Sequence, residues 1–270
     1  MAYDELREYV SQVSNVDLQE GVRTLRKFGR ANLVTKSVRN TIMTQGSTAV
    51  LNETLTTANL VDTLSSTAAN TAVLGVQGFT VDTSGDLTFV DQDVTMNGST
   101  GATLGTPLSR ITRMYVKEGT FASPSASVAI NVYASESTNT GLSTGLPSSM
   151  AYCKAVMPAG INQTEKAQTC TEDGEYAAIQ SVTATVPEAA SPTGTAAADI
   201  SLEVKKKGGV FRPVGLELAV GAQQRTGTVY FDPPVVVPPN SDVRLVGSAS
   251  TTDLVVSGAI NGVLFRKQGF

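Results

Sequence analysis

The sequence predicts a mainly β protein in which an N-terminal helical segment and an extended arm precede an antiparallel, jelly-roll-like β-sandwich. After residue 110, short runs that alternate apolar and polar residues follow one another with turn residues between them. Helical spacing is confined to about the first 45 residues. Charged residues make up only 16% of the chain, and Thr, Ser, Ala and Gly are abundant. We therefore divide the chain into a helical docking segment (1–45), an arm (46–107) and a sandwich (108–270).

Two helices are predicted in the docking segment. The first covers residues 4–14, where apolar residues have the i, i+4, i+7 spacing of one helical face: Leu6, Val10 and Val13. A capping box formed by Asp17 and Glu20 opens the second helix. Its apolar stripe is formed by Leu18, Val22 and Leu25.

The second helix also carries a basic stripe that continues into the following residues. Between Gly21 and Asn40 there are six basic residues and no acidic one: Arg23, Arg26, Lys27, Arg30, Lys36 and Arg39. Residues 1–20, in contrast, contain five acidic residues and one basic residue. We interpret the basic residues as a docking site for an acidic protein surface. The alternatives are a solvated helix face and pairing with the acidic segment of the same chain.

The arm begins with a stretch rich in Thr, Ser, Ala and Asn, which is compatible with an extended segment ordered by a partner or, from the spacing of its leucines, with a weak helix. A hairpin is predicted between Gly78 and Val94, with its turn at Thr83–Asp86. Clustered carboxylates around this turn are compatible with a calcium site or with exposed turn residues: Asp82, Asp86, Asp91 and Asp93. Because the calcium-loop pattern with its Gly and terminal Glu is absent, we predict no metal site.

About eight strands are predicted after residue 110, as in a sandwich. The loops at 135–149, 158–174 and 187–198 are long for simple hairpins, which favours a jelly roll over the alternative of an immunoglobulin-like sandwich. A hairpin turn is predicted at Lys205–Gly209, and the last strands, from Thr228 to Phe265, are predicted to form one antiparallel unit. The residues predicted to be buried are Val128, Ile130, Val132, Leu216, Leu218, Val243, Leu245, Val255 and Ile260.

Composition argues against catalysis. The chain has no histidine, which excludes Ser-His-Asp and Cys-His mechanisms within one chain. Gly141–Gly145 matches Gly-x-Ser-x-Gly, but it lies in a Ser/Thr/Gly loop rather than between a strand and a helix. Cys153 and Cys170 are too few for a four-cysteine zinc site and are predicted to be free thiols, with one disulfide as the alternative. We predict no enzyme activity, cofactor or small-molecule substrate.

Location and partners are also constrained by the sequence. The N-terminus MAYDELREYV lacks the features of a secretory signal, and no apolar run approaches the ~20 residues that span a bilayer. The formal net charge of −4 argues against nucleic-acid binding, as does the presence of only one aromatic residue, Phe28, among the basic residues of 21–40. The sequence therefore predicts a protein with protein partners and no membrane.

The layout resembles that of virion structural proteins of tailed bacteriophages. The resemblance rests on the locally basic N-terminal segment, the Thr/Ser/Ala/Gly-rich arm and a sandwich that ends in PPVVVPPNSDVRLVGSAS and VVSGAINGVLF. It is closest to neck, collar, fibre-adaptor or baseplate proteins with a terminal jelly roll. The resemblance implies a non-catalytic homo-oligomer that contacts other virion proteins and is made in the host cytoplasm. The alternatives are a capsid decoration protein and a carbohydrate- or receptor-binding sandwich.

Overall fold

The computed structural model describes ten ranges of the chain. They are residues 22–33, 39–43, 60–66, 71–97, 100–119, 132–136, 153–158, 161–187, 196–250 and 254–266. Within these ranges the protein is mainly β, all strand pairing is antiparallel, and there is no helix. No helix in the described part is long and apolar enough to cross a membrane. The helix predicted over 4–14, like the Gly141–Gly145 string, lies outside the described residues.

The described residues form sixteen strands. In chain order they are β1 (Val22–Leu33), β2 (Asn40–Thr41), β3 (Val61–Ser66), β4 (Val73–Val81), β5 (Leu87–Thr95), β6 (Ala102–Leu108), β7 (Arg110–Glu118), β8 (Val132–Glu136), β9 (Cys153–Met157), β10 (Gln168–Cys170), β11 (Glu175–Thr185), β12 (Ala197–Lys205), β13 (Arg212–Gly221), β14 (Thr226–Val237), β15 (Asp242–Ala249) and β16 (Leu254–Arg266).

Contacts divide the chain into two compact units. Unit 1 combines residues 1–42 with 167–270, and unit 2 consists of residues 43–166, so unit 2 is an insertion into unit 1. The segments predicted from composition, in contrast, had their boundaries at residues 45 and 107. Composition follows local sequence, whereas this division follows contacts between strands far apart in the chain.

Unit 1 contains two antiparallel sheets. Sheet A has the order β1-β16-β11-β14, and sheet B has the order β10-β15-β12-β13 with β2 also paired to β15. Alternate residues from both sheets form one apolar core, to which Leu25 and Ile260 of sheet A and Ile200 and Leu245 of sheet B contribute. At roughly 25 cal/mol per Å² of buried apolar surface, such a core is the main stabilising contribution to a sandwich.

Strand pairing in unit 1 is nested. β2 pairs with Val246 and Gly247, and β10 pairs with residues 242–244, so β2 and β10 lie along one side of β15 as two halves of one strand. Counted this way, unit 1 has eight strands, which pair first with eighth, second with seventh, third with sixth and fourth with fifth. A long hairpin rolled into two sheets has this pairing, which is consistent with the predicted jelly roll.

The prediction that the last strands form one antiparallel unit is wrong. β14 and β16 belong to sheet A and β15 belongs to sheet B, so successive strands alternate between the sheets. The turn after Val237, with Asn240 at a φ of 55°, leads from one sheet to the other. Sequence alternation identifies strands but does not identify their partners, which is why the three were assigned to one sheet.

The second predicted helix is also wrong where the structure describes it. Residues Val22–Leu33 form a strand paired with β16 along its whole length, from Val22 opposite Phe265 to Leu33 opposite Leu254. Leu25, Ala31 and Leu33 are buried, whereas Arg26 and Arg30 are exposed, which is the alternation of a strand. Arg, Leu and Lys favour helices only weakly, and pairing with a long neighbour overrides that preference.

The predicted core of unit 1 is found in part. Leu218, Val243, Leu245 and Ile260 are buried. Val255 is only half-buried, because alternate residues of β16 point away from the core. For the other four residues of the predicted set, Val128, Ile130, Val132 and Leu216, the structure describes no side-chain environment.

Unit 2 contains a sheet of order β6-β3-β8-β9 and a sheet of order β5-β4-β7. The predicted hairpin is present as β4 and β5, joined by a turn in which Asp82 Oδ1 accepts hydrogen bonds from the backbone N–H groups of Ser84 and Asp86, both at 2.8 Å. The core of unit 2 includes Leu64, Leu74 and Met114. Cys153 in unit 2 and Cys170 in unit 1 are both buried, and neither forms a disulfide.

Candidate interaction surface

The six basic residues of the predicted docking site do not form one stripe. Arg26 and Arg30 are exposed on β1. Arg23 forms an ion pair with the buried carboxylate of Glu175, and Lys27 is half-buried. Arg39 lies after β1 and forms ion pairs with Glu217 and, at 3.5 Å, with Glu203. Lys36 lies outside the described residues.

Arg26 and Arg30 differ from the other basic residues in their surroundings. Among the described residues, neither guanidinium has a hydrogen-bond or ion-pair partner. Phe28 lies between them on the same face of β1 and is 45% exposed. Four residues of strand separate the two arginines by about 13 Å. Because β1 is at the edge of sheet A, its outward side chains are accessible from the face and from the edge.

The outward face of sheet A can be followed as rows of paired residues. Directly opposed residues of antiparallel strands point to the same face. The three central rows, each read from β1 through β16 and β11 to β14, are Arg26–Asn261–Ser181–Tyr230, Phe28–Ala259–Thr183–Thr228 and Arg30–Ser257–Thr185–Thr226. None of these twelve residues is acidic. We call these rows the outer face of sheet A.

Short side chains and hydroxyl groups occupy the middle of the outer face. Thr183 Oγ1 and Thr228 Oγ1 are 3.0 Å apart, and the Thr226 hydroxyl donates to Thr185 Oγ1 at 3.3 Å. Tyr230, at the β14 edge, is 79% exposed, which is unusual for a large aromatic side chain. The face therefore has a hydroxyl-rich centre with an aromatic residue and two arginines at one edge and an aromatic residue at the other.

One end of the same face is closed by an apolar cluster. Tyr176 and Phe265 stack with their ring centroids 5.7 Å apart, and Val22 and Val263 pack beside them. Buried Ala178 completes the cluster. This cluster fixes the start of β1 and hence the position of Arg26 and Arg30 along the sheet.

Sheet B carries a polar cluster whose charges are already paired. Glu203 is buried and accepts hydrogen bonds from Arg244 Nε at 3.0 Å and Nη2 at 2.9 Å. The guanidinium of Arg244 lies 3.8 Å from the ring centroid of Phe211. The carboxylate of Glu203 is held between Arg244 and Arg39, which occupy its oxygens with charge-assisted contacts. We assign this cluster a structural role.

Other parts of the described chain offer little for chemistry. No group of three or more potential metal ligands occurs among the described residues. Asp82 caps its own turn, Asp91 accepts from Gln77 at 3.0 Å, and Asp93 forms an ion pair with Lys117. A cavity of about 220 Å³ at the ends of β12 and β13 is lined by Ala, Val and Gly residues and by Gln223 and Gln224, with no titratable side chain.

Sequence reasoning identified Arg26 and Arg30 but placed them on a helix, and it did not select Phe28 as a contact residue. It missed Tyr230 and the hydroxyl rows, whose members come from strands that are up to more than two hundred positions apart in the chain. The alternation Arg26-Phe28-Arg30-Asn32 was the available signal. This strand signal competed with the helical spacing of the basic residues, which includes Arg26 and Arg30.

No protein-family model and no curated protein matches this chain. Solved structures that resemble it include a chain from the structure of infectious bursal disease virus, Gx strain, at 10% identity and a TM-score of 0.26, covering 94% of this chain and 75% of that chain. A chain from the Gt strain has 11% identity and a TM-score of 0.22, covering 96% and 76%. A chain from the crystal structure of the T13 particle of this virus has 9% identity and a TM-score of 0.24, covering 92% and 70%. Values of this size do not establish a common fold or function.

Proposed function

We propose that this chain is a non-catalytic structural component of a viral particle that assembles through the outer face of sheet A. The observation that carries the proposal is this face, on which two arginines have no partner and two aromatic residues are exposed among the described residues. Exposed Arg and Tyr side chains are typical of the residues on which protein interfaces depend. Jelly rolls occur in viral capsid, lectin and cupin domains, so the fold alone does not select the function.

Within a particle, we place the chain in the neck, collar, fibre-adaptor or baseplate region of a tailed bacteriophage. The support for this placement is the layout of the sequence, which resembles such proteins. Its partners would be other virion proteins and further copies of itself, and it would act without a substrate, cofactor or membrane. A position on the capsid surface as a decoration protein would use the same face.

Assembly of the full chain tests the proposal. We expect sedimentation velocity at low salt to give a discrete oligomer and negative-stain electron microscopy to show closed rings or shells. The variant Arg26→Glu/Arg30→Glu should shift the distribution toward monomer, because the face would repel the acidic groups that wild-type arginines attract. A wild-type chain that stays monomeric up to its solubility limit would contradict the proposal.

A carbohydrate-binding function is the second candidate, and Tyr230 favours it. An aromatic ring that is 79% exposed beside Thr and Ser hydroxyls is suited to stacking on a sugar ring and to hydrogen bonding with its hydroxyl groups. A glycan array distinguishes the two functions. Binding that is lost in Tyr230→Ala but kept in Arg26→Glu/Arg30→Glu would favour the carbohydrate function, and an array without any binder would exclude it.

A further inference from the structure

The net charge of the chain is concentrated in its first twenty residues. These residues contain five of the 24 acidic residues and one of the 20 basic residues, so 19 of each remain in residues 21–270. The formal charge of −4 therefore belongs to the first twenty residues, and the rest of the chain is formally neutral. An acidic segment of this kind matches a surface whose charges are all positive.

We propose that the outer face of sheet A receives residues 1–20 of a second copy of this chain. This inference rests on the proposed assembly function, because it names the partner of the same face. Asp4, Glu5 and Glu8 would pair with Arg26 and Arg30. Apolar residues of the segment would cover the exposed ring of Phe28, which lies between the two arginines.

The charges on the face determine which kind of copy-to-copy contact is favoured. None of the twelve residues in the three rows is acidic, although Asp232 is exposed just beyond Tyr230. Two outer faces packed against each other would therefore bring arginines together without carboxylates to pair with them. An acidic segment supplies these carboxylates, and arginine's planar fork suits carboxylate geometry.

The position and length of the segment also fit. Residues 1–20 join β1 at Val22, where the apolar cluster of Val22, Tyr176 and Phe265 closes one end of the outer face. The stretch of β1 from Val22 to Arg30, which includes the apolar cluster and the three central rows, is about 26 Å long. Twenty residues reach up to about 66 Å when extended, which is enough to leave one copy and lie along the rows of the next.

A photo-cross-linking experiment with the full chain tests the inference. The variant carries p-benzoylphenylalanine in place of Phe28, and equal amounts of unlabelled and ¹⁵N-labelled protein are mixed under assembly conditions and irradiated. We expect mass spectrometry to find cross-links from position 28 to peptides within residues 1–20, and many of them should join labelled to unlabelled chains. The same photoreactive residue at Val210, which is 67% exposed in the turn before β13, should give no cross-links to these peptides.

Charge exchange provides the second measurement. Arg26→Glu/Arg30→Glu should lower the yield of these cross-links about tenfold at low salt, and Glu5→Arg/Glu8→Arg in the same chain should restore it. The matched control Arg212→Glu/Arg225→Glu, at two exposed arginines of unit 1, should leave the yield unchanged. Circular dichroism and urea unfolding would establish that the variants are folded.

Several outcomes would overturn the inference. If every cross-link joined labelled to labelled or unlabelled to unlabelled peptides, residues 1–20 would contact the outer face of their own chain. Cross-links to other peptides or to nucleic acid would assign the face to another partner. Assembly of the wild-type chain without any cross-link to residues 1–20 would refute the inference and leave the proposed function intact. Failure of the wild-type chain to assemble would instead refute the proposed function.

Discussion

Gly29 shows how a single residue permits two segments of unit 1 to meet. A Cβ at this position would lie 1.9 Å from the carbonyl oxygen of Ile42 and 2.5 Å from the backbone nitrogen of Ala167. Those two atoms belong to groups that are themselves hydrogen-bonded, since Ala167 N donates to Ile42 O at 2.9 Å. Only glycine allows β1 to approach this backbone pair.

We therefore expect Gly29→Ala to destabilise unit 1 by about 3 kcal/mol, because backbone atoms cannot move aside as side chains do. Gly258, which is opposite Gly29 on β16, is the matched control. A Cβ there would meet the ends of two side chains, Ile42 Cδ1 at 3.0 Å and Leu245 Cδ1 at 3.1 Å, and should cost less than about 1 kcal/mol. Urea unfolding measures both, and equal costs would contradict the explanation.

Burial distinguishes the two glutamates that pair with Arg39. The side chain of Glu203 is 9% exposed and that of Glu217 is 58% exposed. Glu203→Gln would leave Arg244 without its charged partner, and we expect a loss of about 1–3 kcal/mol. Glu217→Gln should cost less than about 0.5 kcal/mol, because exposed ion pairs contribute little. Thermal unfolding of both variants tests this difference, and a larger loss for Glu217→Gln would refute it.

At the scale of elements, β1 is the strand whose conformation matters most for the proposed interface. Its burial alternates, so Ala31 lies in the core and Arg30 on the outer face. We expect Ala31→Asp to destabilise unit 1 by more than about 3 kcal/mol, because an unpaired carboxylate would enter the core. Arg30→Asp should change stability by less than about 0.5 kcal/mol. Similar losses of stability at both positions, measured by urea unfolding, would contradict the alternating burial of β1.

Hairpins could be predicted from the sequence because their signals are local. The β4–β5 and β12–β13 hairpins lie where turn residues separate two alternating runs. β1 could not be predicted in this way, since its partner β16 is more than two hundred residues away and imposes the strand on residues that also suit a helix. The candidate site could be predicted only in part, because the sequence identified Arg26 and Arg30 but not their neighbours on the outer face.

At the scale of the whole molecule, the insertion of unit 2 interrupts one strand of unit 1. Long polar loops in the sequence favoured a jelly roll, but no local feature marks Ile42 and Ala167 as the two ends of an insertion. The insertion is visible only in the register of the residues paired with β15. Thr41 is opposite Val246, and Gln168 is opposite Arg244, which leaves Leu245 to bond both ends.

Backbone hydrogen bonds show how both ends are held. Ile42 N donates to the carbonyl of Leu245 at 2.8 Å, and Leu245 N donates to the carbonyl of Ala167 at 3.0 Å. Ile42 and Ala167 are both fully buried. Ile42 and Ala167 both bond to Leu245, but a continuous strand from Asn40 to Cys170 needs only one residue opposite Leu245. The second strand of the jelly roll can therefore be completed without residues 43–167.

We predict that deletion of residues 43–167, which joins Ile42 directly to Gln168, leaves unit 1 folded. The joined strand keeps Thr41, Ile42 and Gln168 opposite Val246, Leu245 and Arg244, so every side chain keeps its face. Circular dichroism should show a β spectrum, and urea unfolding should be cooperative. Deletion of residues 42–167 is the matched control, because it removes one further residue and forces a slip that turns one half of the strand over. We expect this control to be insoluble or to unfold without cooperativity, and equal behaviour of the two deletions would show that the register across the insertion does not hold unit 1 together.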